Sequence, residues 1–256
     1  MSGDFARAHA VASHLEVLPE TGSTNADLRD RAHDAARWPH LSALITRNQT
    51  AGRGRLDRTW VAPDGASLAI SVLLRALPAD PVARGWIPLA AGSAMAQAVE
   101  AQLSGHDVAV KWPNDVLVDG RKICGILAEA TTDAVIVGSG VNTTMTAEQL
   151  PVPTATSFAV LGVEVDEDRL VADYLGALEV HISALAAADD AVASGLHSAV
   201  TGRCATLGLA VRVSLPGDQV REGVATELDA QGRLLVSADG TVHAVSAGDV
   251  VHVRPA

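Results

Sequence analysis

The side chains best suited to chemistry are concentrated in residues 111–129, which read KWPNDVLVDGRKICGILAE. The stretch holds the chain's only two lysines, Lys111 and Lys122; every other permanent side-chain cation is an arginine. Lys111 precedes Asn114 and Asp115. An ammonium, an amide and a carboxylate gathered this way suit a hydrated Mg2+ ion carrying a phosphate, because magnesium takes one or two carboxylates and shares the phosphate oxygens. Asp119-Gly120 falls between two runs of branched apolar residues, a strong hairpin signal, so Lys122 begins a strand just after a tight turn. Gly125 lies inside that strand, where glycine weakens the ladder unless something approaches the backbone closely. A ligand, a bulge or plain packing each meets that condition.

A second feature lies upstream. Residues 41–47, LSALITR, read as a buried strand that delivers the chain into NQTAGRGRLDRTW. Arg47, Arg53, Arg55 and Arg58 fall within twelve residues, interleaved with Gly52 and Gly54. Glycines let a backbone wrap closely, and arginines present planar donors to carboxylate or phosphate. Such a loop is suited to closing over an anion. It is not a P-loop, which needs GxxxxGK[ST], and a dinucleotide GxGxxG would need glycine where Asp57 stands. Trp60 at its end is suited to stacking on a purine or to filling the core. Before the loop, residues 21–37 read as a helix entered through a polar cap, with Thr24 and Asp27 as the capping pair and Leu28, Ala32 and Ala35 as a narrow apolar stripe. Ser23, Thr24 and Asn25 therefore gather at a helix N-terminus, to cap it or to meet a ligand.

The elements that must hold these groups follow from patterning. Residues 67–75 alternate as a strand, and residues 89–103 form an apolar helix. The segments 108–112, 116–118, 122–130 and 135–142 read as an antiparallel meander. Its last strand, VIVGSGVN, carries two glycines and ends in Asn142, either where a ligand meets backbone or as a softened edge strand. Residues 174–188 form a long helix, and a linker lies near 189–207. Five short strands then follow, VRVSL, GVATEL, RLLVS, TVHAVS and VVHVR, separated by PGD, DAQG, ADG and AGD. They make a small SH3-like barrel without catalytic groups, suited to packing on the main domain or gripping a partner.

Composition narrows the function classes. The chain has 256 residues, 48% hydrophobic and 19% charged, with a net charge of −11. That size suits one large domain with a small second one. The acidic balance argues against nucleic-acid binding, which phosphate contacts dominate. The longest apolar candidate for a membrane span, residues 87–103, is interrupted by Gln97, Glu100 and Gln102, so no membrane partner is expected. Asp and His interrupt the N-terminal segment where a signal peptide needs apolar residues, which predicts a cytoplasmic protein. Cys124 and Cys204 stand apart without CxxC or HExxH, supporting neither disulfides nor a zinc site.

Taken together, STN at 23–25, QTAGRGR at 49–55 with Arg58 and Trp60, KWPND at 111–115, RKICGILAE at 121–129, GSGVN at 138–142 and the terminal barrel make the chain resemble the biotin protein ligases over nearly its whole length. The resemblance implies an α+β fold, a mixed sheet with flanking helices like that of class II aminoacyl-tRNA synthetases, followed by the SH3-like barrel. It implies a catalytic domain over residues 1–204 and a C-terminal domain over 205–256. Some relatives carry an N-terminal winged helix-turn-helix repressor module; the 22 residues before Ser23 are too few for one, so the monofunctional type is expected.

The implied activity activates biotin with ATP and Mg2+ to biotinyl-5'-AMP, then transfers biotin to a lysine of a biotin carboxyl carrier domain. The family pattern implies that Ser23, Thr24, Asn25, Gln49, Arg53, Gly54, Gly125, Leu127 and Gly138 form the biotin site. Arg55 and Lys122 would meet the biotin carboxylate and the α-phosphate as the catalytic pair. Arg58, Trp60, Lys111, Asn114 and Asn142 would hold the nucleotide, and Asp115 the metal. Lys122 and Gly125 have opposite strand parity, so both reach one site only if the strand bulges or meets the ligand edge-on. Cys124 is expected to act as a small hydrophobe without redox chemistry. A lipoate or octanoate ligase, a biotin-binding module without ATP chemistry, and a structural domain with a basic loop are the alternatives. The first two separate by the acid required and by ATP consumption.

Overall fold

The computed structural model describes residues 5–55, 58–215, 219–246 and 249–253. Helix α1 (Ala6–Val11) leads into β1 (His14–Leu18), α2 (Thr24–Arg31) and β2 (Ser42–Thr46). A two-residue hairpin, β3 (Gly52–Arg53) with β4 (Thr59–Trp60), precedes β5 (Ser67–Leu74) and α3 (Ile87–Glu100). The meander is β6 (Val108–Lys111), β7 (Asp115–Val118), β8 (Arg121–Ala130) and β9 (Val135–Asn142), followed by α4 (Glu167–Ala188) and α5 (Leu196–Thr201). The main sheet runs β1-β2-β5-β9-β8-β7-β6, parallel only between β1 and β2.

The two faces of this sheet have different tasks. On β5, Leu68, Ile70, Val72 and Leu74 join the main core, to which α3 and α4 contribute Met95, Val99, Tyr174 and Leu178. Leu73 faces the other way, with Leu44 and Ile136, onto Leu28 of α2 and its C-cap Ala32. All eight residues of β5 are buried, so its alternation separates two covered faces rather than core from solvent. By the same period of two, Ala69, Ser71, Gly138 and Gly140 share the α2 face, which is where a cavity opens.

The meander is antiparallel as expected, and Asp119 (φ 49°) with Gly120 (φ 73°) makes the tight turn between β7 and β8. Positive φ at both central residues is the turn that matches strand twist. Other expectations need correction. Strand β9 lies between β5 and β8, so it is no edge strand. Helix α2 ends at Arg31, leaving Ala35 exposed. Its N-cap is Ser23, whose Oγ accepts from Ala26 N at 3.4 Å, so Thr24 is already helical. Helix α4 begins at Glu167, because Asp166 caps it by accepting from Arg169 N. It is long and apolar enough to cross a membrane by length and composition alone, but it buries one face, Leu170 to Leu185, in the core. The supposed linker contains α5, which buries Leu196 and Val200.

The C-terminal strands are β10 (Ala210–Leu215), β11 (Gln219–Leu228), β12 (Leu234–Ala238), β13 (Thr241–Val245) and β14 (Asp249–His252). They form one antiparallel sheet, β13-β12-β11-β10-β14, the five strands read from the sequence. The PGD turn and the first two residues of AGD lie outside the described residues. Two buried tryptophans of the main domain dock this sheet: Trp86 Nε1 donates to Ala230 O and Trp112 Nε1 to Gly232 O, both at 2.9 Å. Both acceptors lie in the turn between β11 and β12, so the indole donors are satisfied by the second unit.

Candidate active site

A cavity of about 180 Å³ opens on the α2 face of the sheet, between the N-terminus of α2, the β3–β4 hairpin and strands β8 and β9. Its neutral end is built from side chains held by one another. Gln49 Oε1 accepts from Thr24 N at 2.9 Å and lies 3.0 Å from Thr24 Oγ1. Ser71 Oγ lies 2.7 Å from Thr24 Oγ1 and 2.6 Å from Asn25 Oδ1. An amide oxygen carries no proton, so the fully buried Ser71 hydroxyl donates to Asn25. The other end of that amide donates to Glu129 Oε2 at 2.8 Å and to Leu127 O at 3.3 Å. Asn25 therefore has one fixed orientation.

The strand glycines make room for these groups. A Cβ on residue 138 would stand 2.5 Å from Asn25 Oδ1, and one on residue 140 would stand 2.7 Å from the Trp60 ring. The sequence leaves this strand open to a ligand at its backbone or to a softened edge; the groups that approach Gly138 and Gly140 are the protein's own Asn25 and Trp60. Trp60 is half-buried, laid over Gly140 rather than sunk in the core.

The other end of the cavity is charged. Lys122 Nζ lies 2.5 Å from Asp115 Oδ1, and Arg55 Nη1 donates to Asn114 Oδ1 at 2.9 Å. Asn114 Nδ2 in turn donates to Ile126 O, which fixes the amide for Arg55. The parity conflict between Lys122 and Gly125 is resolved by a bulge: Leu117 pairs with Lys122 while Val116 pairs with Cys124, so Ile123 is the extra residue. Lys122 thereby turns onto the face of Gly125, and a Cβ on Gly125 would meet its Nζ at 3.0 Å. Cys124 keeps the opposite face and is buried, and burial pushes its thiol well above the ordinary range, which suits the inert role expected.

All the residues expected at the biotin site line this cavity, as do Arg58, Trp60, Asn114 and Asp115. Lys111 and Asn142 do not. Lys111 ends β6, the outermost strand, near enough to His252 that its charge helps hold that imidazole below its ordinary value, after burial. Asn142 ends β9 beyond Gly140, outside the cavity lining, and its Nδ2 donates to Thr156 O at 2.9 Å. Leu56 and Asp57 of the loop lie outside the described residues. Ser71, Gly140 and Glu129 were missed. Parity marks each of them, with Ala69, Gly138 and Leu127 respectively, once the facing of the strands is known.

Among the described residues no cluster of three or more His, Cys, Asp or Glu side chains is placed to hold a metal ion. Asp115 Oδ1 is nevertheless buried, and the partner it meets is the Lys122 ammonium. One carboxylate beside one amide fits a magnesium ion that keeps its water and phosphate ligands.

The chain is similar to known proteins over most of its length. Residues 17–142 match the biotin/lipoate A/B protein ligase family, and residues 206–253 match the biotin protein ligase C terminal domain. The chain is 41% identical over 243 residues to the biotin--[acetyl-CoA-carboxylase] ligase of Mycobacterium tuberculosis, covering 94% of this chain and 89% of that protein. It is 31% identical to the bifunctional ligase/repressor BirA of Escherichia coli, over 92% of this chain and 73% of that one. The biotin protein ligase from Aquifex aeolicus, solved with biotin and ATP, superposes with a TM-score of 0.77 at 23% identity over 95% of this chain and all of that one, a likeness of fold. The Leishmania major enzyme, solved with biotinyl-5-AMP, superposes with a TM-score of 0.61 at 28% identity, over 92% and 99%. The chain belongs to the biotin protein ligase family.

Proposed function

We propose that the protein activates biotin with ATP and transfers it to a lysine of a biotin carboxyl carrier domain. The observation that carries this reading is a cavity with two chemically different ends. Thr24, Asn25 and Gln49 offer neutral donors and acceptors suited to a ureido ring, while Arg55 and Lys122 offer positive charge at the other end.

In the first step a biotin carboxylate oxygen bonds to the α-phosphorus of ATP, and the bond to the β-phosphate oxygen breaks, releasing pyrophosphate. Two anions must meet, so the step is slow unless fixed positive groups offset the developing charge. Arg55 and Lys122 are the groups we assign to it. Asp115, with Asn114 beside it, would hold Mg2+, which when bound neutralises phosphate charge. In the second step the lysine amine attacks the acyl carbon of the mixed anhydride, AMP leaves and an amide forms. The glycine-arginine loop excludes water from the adenylate between the steps. Arg58 and Trp60 are our choice for the nucleotide; Lys111 and Asn142 would reach it only from outside the cavity. We divide the chain into a catalytic domain, residues 1–204, and an SH3-like domain, residues 205–256, and read it as cytoplasmic.

The test is transfer. Purified protein with ATP, Mg2+ and labelled biotin should place label on the carrier lysine. A carrier that stays unlabelled while the protein binds biotin would favour a binding module.

A further inference from the structure

Glu129 lies just outside the cavity, yet three side chains from two different elements converge on it. Asn25 Nδ2 donates to its Oε2 at 2.8 Å. Arg53, at the root of the glycine-arginine loop, reaches it at 3.1 Å, and Arg29, one turn further along α2, at 3.3 Å. The carboxylate stands on β8 with the same parity as Gly125 and Leu127, so the strand that forms the cavity floor also carries it. Its side chain is 21% exposed, while those of Arg53 and Arg29 are 45% and 40% exposed.

The geometry points to Glu129 as a positioning residue that joins the loop to the biotin end of the site. This rests on reading Asn25 and Arg53 as biotin ligands. The amide of Asn25 has its oxygen fixed from below by Ser71 and its nitrogen fixed from the side by Glu129. The same carboxylate holds the guanidinium of Arg53, which lines the cavity. It thus sets the direction of one ligand group and anchors the base of the segment that closes over the adenylate. The two roles separate chemically. A glutamine at 129 keeps an oxygen for Asn25 but loses the charge that attracts Arg53; an alanine loses both.

Two variants test this, Glu129→Gln and Glu129→Ala, each checked for unchanged thermal unfolding and circular dichroism. Three quantities are read: the rate of tryptic cleavage after Arg53 without ligands, the KM for biotin in pyrophosphate exchange, and the half-time for loss of biotinyl-5'-AMP in the absence of carrier. Partly exposed ion pairs are weak, so the expected changes are modest. Glu129→Gln should be cut about three- to fivefold faster and lose the adenylate faster by a similar factor, with biotin KM near the parent's. Glu129→Ala should show those changes and a biotin KM raised about tenfold at little-changed kcat, because the donor end of Asn25 is left with one weaker acceptor. Cleavage and retention within twofold of the parent in both variants would overturn the proposal, as would equal losses in kcat accompanied by a lower melting temperature. The cleavage readout needs neither biotin nor ATP, so absent exchange in the parent would refute the proposed activity while the tether was still tested.

Discussion

Gly138 and Asn25 occupy each other's space: the amide oxygen of Asn25 lies 2.5 Å from where a Cβ on residue 138 would stand. The amide cannot retreat, because Ser71 and Glu129 hold its two ends. Gly138→Ala should therefore push Asn25 out of place. Overpacking of this kind costs about 1–3 kcal/mol, so biotin KM should rise at least about fivefold while ATP KM changes little. Unchanged biotin affinity would mean that Asn25 does not read the ligand.

Lys122 lies 2.5 Å from Asp115, and the bulge at Ile123 turns it onto the face of Gly125. A preorganised donor aimed at developing charge contributes about 3–4 kcal/mol, so Lys122→Ala should slow adenylation about a hundredfold or more. Single-turnover formation of the adenylate gives the number. A rate within about threefold of the parent would remove Lys122 from the chemical step.

Arg55 spans from the loop to the start of β7 by donating to Asn114, so it closes the cavity as well as charging it. Arg55→Gly should still form the adenylate but release it into solution. Chromatography of the reaction without carrier should find the intermediate outside the protein, and undiminished retention would contradict the closing role.

His181 supplies a pH dependence. It is packed between α4 and α3, with Nε2 3.1 Å from Gln97 Nε2; burial above all, and then Arg203, hold its imidazole below the ordinary value. The unfolded chain then binds the proton more readily. The stability His181 contributes is fully present above its unfolded value of about 6.5 and is lost as pH falls below it. The melting temperature should drop between about pH 7.5 and 5.5, and His181→Gln should drop less. An equal drop in both proteins would assign the acid sensitivity to other groups.

Much of this arrangement is legible in the sequence because its signals are local. Asp119-Gly120 sets a turn whatever surrounds it, and the spacing of VLV and RKICGILA fixes the strands on either side. The limits of the reading are tertiary. Thr24 looks like a cap until Gln49 and Ser71, remote in sequence, are seen to hold it, and Ser23 takes the capping position. Strand β9 looks like a softened edge because its glycines lack side chains, but the groups that fill those gaps come from α2 and the loop. Lys111 looks equivalent to Lys122 by type alone; strand order separates them, placing one at the sheet's edge and the other on the cavity wall.

The central claim is that one cavity joins a carboxylic acid to the α-phosphate of ATP and that the acid is biotin. Exchange of labelled pyrophosphate into ATP by the purified protein with Mg2+ tests both parts at once, with lipoate and octanoate in parallel. Exchange that depends on biotin and is absent with the other two acids is the predicted result. Exchange supported by lipoate or octanoate instead, or no exchange from a protein that still binds biotin, would contradict it.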